Sequence, residues 1–251
     1  MRTVTATRYV TPLREGGSLP AIVEADDAGL YVLKFRGAGQ GVNALVAELI
    51  AGAIAQAAQL RMPEMVFVEV DADLARTEPD PEIQDLIRAS AGLNVGFDYL
   101  PGAAMFDPVV EHPAGDLASD IVWFDAFVMN VDRTARNANL LIWHRQLWLI
   151  DHGAALYFQH DWQGGLERSR DPFALIRDHV LLPFADDLPG ADARLRARLT
   201  PAACARAVER VPAAWLPAGA RRAGFAAFLA QRLESTQAFV QEAVRARSQL
   251  V

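Results

Sequence analysis

Cysteine is almost absent: Cys204 stands alone among 251 residues. One thiol closes no intramolecular disulfide and builds no zinc knuckle, and the five histidines are scattered. A disulfide scaffold and a structural zinc site are therefore set aside. Long apolar runs are missing too. No stretch reaches the roughly 18 uninterrupted apolar residues of a membrane helix. The best, residues 44–58, carries Glu48 in its middle. The first residues, MRTVTATRYVTPL, lack the apolar core of a signal peptide. We expect a cytoplasmic protein with no membrane contact. Positive charge is in deficit, with 24 Lys+Arg against 31 Asp+Glu and a net charge of −7. That balance disfavours direct nucleic-acid binding. Lysine is the scarcest cation: of the 24 basic residues only Lys34 is not arginine.

The remainder is ordinary globular material, 52% hydrophobic and 22% charged, enough to bury a sizeable core. At about 150 residues per domain, the length fits one unit with two lobes. Charge is uneven along the chain. Residues 1–190 hold 14 basic against 27 acidic side chains, whereas residues 191–251 hold 10 arginines against 4 acids. The arginine-rich end reads either as a solvated helical surface or as a docking face for an acidic partner. A chain that otherwise uses arginine but keeps one lysine points to a site needing a compact ammonium on a flexible stem.

Residues 3–10, AIVEAD and LYVLKF read as antiparallel strands with hairpin punctuation. Asn43 is a candidate cap for a helix over residues 44–60. MVFVEV and GFDYL read as further strands, and PEIQDLIRAS as a short helix. Pro101-Gly102 breaks the pattern and suggests a boundary near residue 100. Beyond it, Ser119 or Asp120 is placed to cap a helix through IVWFDAFVMN. NLLIW and LWLID flank His144-Arg145-Gln146 as a hairpin, and Thr200-Pro201 starts a helix in a mainly helical remainder.

The informative stretch is NVDRTARNANLLIWHRQLWLIDHG, residues 130–153. Asp132 and Asn137 sit five apart in a polar turn, and Asp151 ends the partner strand of the hairpin. A short hairpin brings its outer ends together, so Asn137 and Asp151 converge. A carboxylate and a carboxamide are hard oxygen donors that suit Mg²⁺, with water and phosphate oxygens filling the remaining positions. Asp132, just outside, is placed to orient an attacking hydroxyl or take its proton. Each residue alone would pass as turn chemistry; the ordered set is hard to obtain by accident. Asp125, on the apolar helix upstream, reads as a structural brace, and Cys204 as a core residue.

This pattern resembles the catalytic core of the protein-kinase-like superfamily, most closely the HipA-like kinases and more distantly the phosphatidylinositol kinases. The resemblance implies an α+β, two-lobed protein-kinase-like fold: residues 1–100 as a lobe of antiparallel sheet plus one helix, and residues 101–251 as a mainly helical lobe. It implies ATP and Mg²⁺ as cofactors, Asp132 as the catalytic carboxylate, and Asn137 and Asp151 as metal ligands. Lys34 would contact the ATP phosphates and Glu48 would pair with it. A Glu within ALVAELIAGA would be costly to bury without such a partner. The glycine-rich kinase loop is missing. Gly16, Gly17 and Ser18 occupy its place between two strands, and Asp98, Tyr99 and Leu100 fall where the superfamily hinge meets adenine. Many relatives carry His where this chain has Thr134.

The expected activity is transfer of the γ-phosphoryl group to a hydroxyl acceptor, a Ser or Thr on a protein. An antitoxin-like or regulatory partner belongs to the same expectation, although no residue identifies one. A nucleotide-binding pseudokinase scaffold, a small-molecule or lipid kinase, and a nucleotidyltransferase of the same fold stay open.

Overall fold

The computed structural model describes residues 1–13, 19–39, 41–160, 162, 165–216 and 219–250. Five strands form a closed barrel in the order β1-β2-β3-β5-β4. They are β1 (Thr3–Pro12), β2 (Ala21–Ala25), β3 (Leu30–Lys34), β4 (Met65–Val70) and β5 (Gly92–Asp98). Their neighbours are antiparallel except for β1 and β4, which pair in parallel at Thr3–Phe67, Val4–Val68 and Thr5–Glu69. That one long-range pair closes the barrel and leaves no local signature in the chain. β5 begins at Gly92, four residues before the strand expected from sequence. Gly96 lies where the barrel wall is tightest: a Cβ there would meet Val68 at 2.6 Å and Val66 at 3.2 Å.

Helix α1 (Val42–Ala57) follows β3, and α2 (Pro81–Ala89) follows β4. Asp80 caps α2 through the Glu82 amide, with Pro81 at the first turn. Asn43 does not cap α1; the cap position is Gly41 at φ 65°, a left-handed value that glycine adopts at little cost. Asn43 instead faces the C-terminal half, where its Oδ1 accepts a bond from Arg221 at 3.4 Å.

A second sheet, β6 (Ala104–Met105), β7 (Leu140–Trp143) and β8 (Gln146–Leu149), lies among helices α3 (Gly115–Phe127), α4 (Leu188–Arg198), α5 (Pro201–Glu209), α6 (Ala220–Glu234) and α7 (Thr236–Arg247). The turn between β7 and β8 has two residues, His144 and Arg145, both at positive φ. Gln146 belongs to the strand rather than to the turn. Helix α3 starts at Gly115, earlier than the cap positions read from sequence. Ser119 and Asp120 sit inside it, where Ser119 accepts from the Asp187 amide at 2.9 Å and Asp120 pairs with Arg194 at 2.8 Å.

Two hydrophobic clusters result. The smaller fills the barrel and packs on Ile83 and Ile87 of α2. The larger runs from α1 through α3 to α7. Both α1 and α3 are buried all round, at residues 45–55 and 118–127 respectively. Helices of that kind carry apolar residues on every face. Glu48 and Asp125 are therefore anomalies, each at most 1% exposed.

Gly96→Ala should cost about 1–3 kcal/mol, the usual penalty of overpacking a tight interior. Urea unfolding midpoints measure it, and an unchanged midpoint would show that the barrel wall yields at this point.

Candidate active site

Glu48 is the first buried carboxylate. Removing a charge from water costs several kcal/mol unless it is paired and hydrogen-bonded. Its partners come from two other segments. The Lys34 Nζ on β3 lies 3.5 Å from Glu48 Oε1, and the His152 amide donates to Oε2 at 2.8 Å. The same ammonium reaches Asp151 Oδ2 at 2.6 Å. Lys34, Glu48 and Asp151 are thus gathered on one cation from a strand, a helix and the chain just after a hairpin. Asp151 is held at φ 53°, the left-handed region that aspartate tolerates better than most residues.

The charges are unequal, two carboxylates to one ammonium. Burial disfavours the Lys34 ammonium, but Glu48 and Asp151 outweigh it and raise its pKa. Burial likewise opposes the Glu48 carboxylate, yet Lys34 and His152 hold it below the ordinary value. Asp151 moves the other way: burial and the nearby Glu48 carboxylate outweigh Lys34 and raise it. The cluster as a whole carries one more carboxylate than cation. Among the described residues Glu48 Oε1 has no hydrogen bond in its buried position. His152 is fully buried, with its ring edge-on to Phe124 at 5.7 Å.

Asp132 stands in the turn after α3. Its Oδ2 accepts from Asn137 Nδ2 at 2.7 Å and from Asn139 Nδ2 at 3.3 Å. Its amide donates to Asn130 Oδ1 at 3.2 Å. With Nδ2 of Asn137 committed to Asp132, its carbonyl oxygen, the harder donor, points the other way. Asn139 and Ile150 face each other across the hairpin, the Ile150 amide donating to Asn139 O at 3.1 Å. Asn137 and Asp151 therefore lie at the same end of that hairpin. Asn139, at φ 49°, was not singled out from sequence; a third asparagine in a polar turn carries no distinguishing signal.

Asp125, the second buried carboxylate, holds the loop from below. It accepts from Arg133 Nε, from Asn130 Nδ2 at 2.9 Å and from His179 Nε2 at 2.9 Å. Burial would raise this carboxyl, but Arg133 and His179 pull it far below the ordinary range. Arg133 also donates to the Asn139 carbonyl and to Ile150 O at 3.3 Å. One guanidinium thereby joins α3, the Asp132 turn and both ends of the hairpin. His179 and Thr134 form a backbone bridge. Arg133 reads only as part of the Asn130-Val131-Asp132-Arg133 stretch and His179 only as a loop or helix-end histidine; that both meet Asp125 does not show in the sequence. Asp125 is the brace that the sequence suggested.

Of the hinge residues, Asp98 and Tyr99 have their amides engaged with Glu64 O and Leu30 O, both at 2.9 Å. The Leu100 amide carries no hydrogen bond among the described residues. Gly16, Gly17 and Ser18 lie outside the described residues. Cys204 is buried, and burial pushes its thiol up to about 11, as expected of an inert core residue.

Asp151 and Asn137 offer a carboxylate and a carboxamide oxygen at the same end of the hairpin, a donor set that fits Mg²⁺. Among the described residues no three His, Cys, Asp or Glu side chains group as a metal cage. Mg²⁺ commonly takes its remaining oxygens from water and substrate.

The model of a protein family described as HipA-like kinase matches residues 7–243. Among solved structures, the chain is similar to the Helicobacter pylori proinflammatory kinase CtkA, at 13% identity and a TM-score of 0.57, with 99% of each chain covered. It is also similar to the Golgi casein kinase with Mn and ADP bound, at 10% identity and a TM-score of 0.55, over 96% of this chain and 74% of that one. A second Golgi casein kinase structure matches at 12% identity and a TM-score of 0.54, over 96% of this chain and 72% of that one. At these identities the likeness is one of fold. No curated protein matches the chain. Among the described residues no helix is long and apolar enough to cross a membrane.

His179 supplies a pH test. The Leu181 amide donates to its Nδ1 at 3.0 Å, so the proton sits on Nε2 and faces Asp125. A second proton has no place, and burial lowers the pKa against the pull of Asp125. The unfolded chain therefore binds a proton that the folded protein refuses. Stability should fall as pH drops below about 6.5, by up to about 1.4 kcal/mol per pH unit. Urea midpoints between pH 8 and pH 5 measure the slope. His179→Gln should flatten it, and an equal slope in that variant would contradict the assignment.

Proposed function

The chain belongs to the HipA-like kinase family, and from that premise we propose that it transfers the γ-phosphoryl group of ATP, taken with Mg²⁺, to a Ser or Thr hydroxyl on a protein. The observation that carries this reading is the single lysine, held at 2.6 Å from Asp151 and 3.5 Å from Glu48. An ammonium shared between two carboxylates leaves one negative charge over, which suits the spot to a divalent cation, and the ammonium and that cation together can receive phosphate oxygens.

In this reading residues 1–100 form the nucleotide-facing lobe and residues 101–251 the lobe with the catalytic loop. Lys34 binds phosphate oxygens, and Glu48 keeps its stem aimed. Asn137 and Asp151 hold Mg²⁺, which, when bound, neutralises phosphate charge. Asp132 is oriented by the Asn137 and Asn139 amides; its free oxygen positions the acceptor hydroxyl and takes its proton as the phosphoryl group leaves ADP. The unbonded amide of Leu100 serves the adenine edge, with Asp98 and Tyr99 as its backbone frame. The Golgi casein kinase, with Mn and ADP bound, supports nucleotide and divalent-ion use on this fold.

The intact set of Lys34, Asp132, Asn137 and Asp151 favours an enzyme over a pseudokinase scaffold. Transfer from γ-labelled ATP should occur without transfer from α-labelled ATP; the opposite pattern would identify a nucleotidyltransferase. Asp132→Asn should lower turnover by about 10²-fold or more while ATP affinity, measured by calorimetry, changes less than about threefold. Full turnover in that variant would remove Asp132 from the mechanism.

A further inference from the structure

Six of the ten arginines after residue 190 are engaged within the chain, beyond their own helices. Arg194 binds Asp120 and Asp187, Arg222 binds the carbonyls of Val208, Val211 and Leu216, and Arg232 is buried against those of Ala126, Phe127, Ser169 and Asp171. Three others converge on α1. Arg198 Nη1, at the end of α4, donates to Ala58 O at 3.0 Å. Arg210 Nη1, just after α5, donates to Gln56 Oε1 at 2.7 Å. Arg221 on α6 reaches Asn43 Oδ1 near the other end of α1.

The C-terminus of α1 needs such help. The last carbonyls of a helix lack intrahelical partners and carry partial negative charge, which a cation relieves. Helix α1 has no basic residue in its last turn. Arg198 supplies one from 140 residues away. Its other contact, Asp120 at 3.8 Å, lies on α3, the helix that leads into the Asp132 turn. Helix α1 also packs on α5. The helix carrying Glu48 is thus held from outside by the C-terminal helices as well as by the barrel.

We propose that Arg198 and Arg210 are positioning residues that hold α1 so that Glu48 stays on Lys34, an internal clamp that assembles the phosphate-binding pair without an outside activator. Its effect on turnover rests on the kinase reading above; its effect on α1 does not. Two consequences follow. The engaged arginines of the C-terminal end act within the chain. Weakening the clamp should loosen α1 selectively.

The test compares wild type, the Arg198→Gln/Arg210→Gln double variant, Arg198→Lys, and the control Arg245→Gln, whose residue pairs with Glu242 on α7. Amide hydrogen exchange over residues 42–57 and ATP kinetics are read together. The double variant should exchange faster in α1, keep a thermal midpoint within about 2 °C of wild type, and lose about fivefold in kcat/KM for ATP. Arg198→Lys, which keeps the charge at the helix end, should retain most of both, and the control should match wild type. Wild-type exchange in α1 of the double variant would overturn the proposal. Should wild type fail to turn over ATP, the kinase reading falls, and the exchange data alone still decide the clamp. If the double variant does not fold, Arg210→Gln alone is read by the same criteria.

Discussion

Two buried carboxylates organise this protein. Glu48 and Asp125 sit on helices that are buried on every face, where an unpaired charge would be prohibitive. Each can be accommodated only by a cation delivered from elsewhere in the chain. Lys34 answers Glu48 and brings β3 to α1; Arg133 answers Asp125 and fixes the turn that carries Asp132. The same two pairs that make the interior tolerable set the positions of the reactive side chains. Losing either cation would leave a buried charge exposed to its full desolvation cost, so the site and the fold are coupled.

The two pairs differ in how completely they are closed. Asp125 is saturated by Arg133, Asn130 and His179, and its surroundings carry no spare charge. Glu48 shares its ammonium with Asp151 and, among the described residues, keeps one oxygen without a hydrogen bond. A saturated network suits a brace. An unsaturated, locally negative one suits a place where cations and phosphate oxygens exchange. That contrast fits scaffolding for the lower pair and the proposed binding role for the upper one.

Much of the site was legible in the chain because its residues break local expectation. Lys34 is the only lysine, Glu48 interrupts an apolar run, and the spacing from Asp132 to Asn137 and on to Asp151 matches a turn feeding a hairpin. What could not be read is long-range and generic in type. The parallel pairing of β1 with β4 closes the barrel across more than 60 residues. No local pattern shows that Arg133 and His179 would meet Asp125, and Arg198 reaches Ala58 across 140 residues. The start of α3 was missed because Ser119 and Asp120 look like caps, whereas both bond to the chain around Asp187 and Arg194. Polar residues inside a helix resemble caps when their partners lie far away in sequence.

The most direct measurement is a crystal structure with Mg²⁺ and a non-hydrolysable ATP analogue. The account predicts phosphate oxygens on Lys34, the ion on Asn137 and Asp151, the Glu48 pair intact, and the free oxygen of Asp132 facing the γ-phosphate. A nucleotide bound elsewhere, or a Lys34 turned away from the triphosphate, would contradict it.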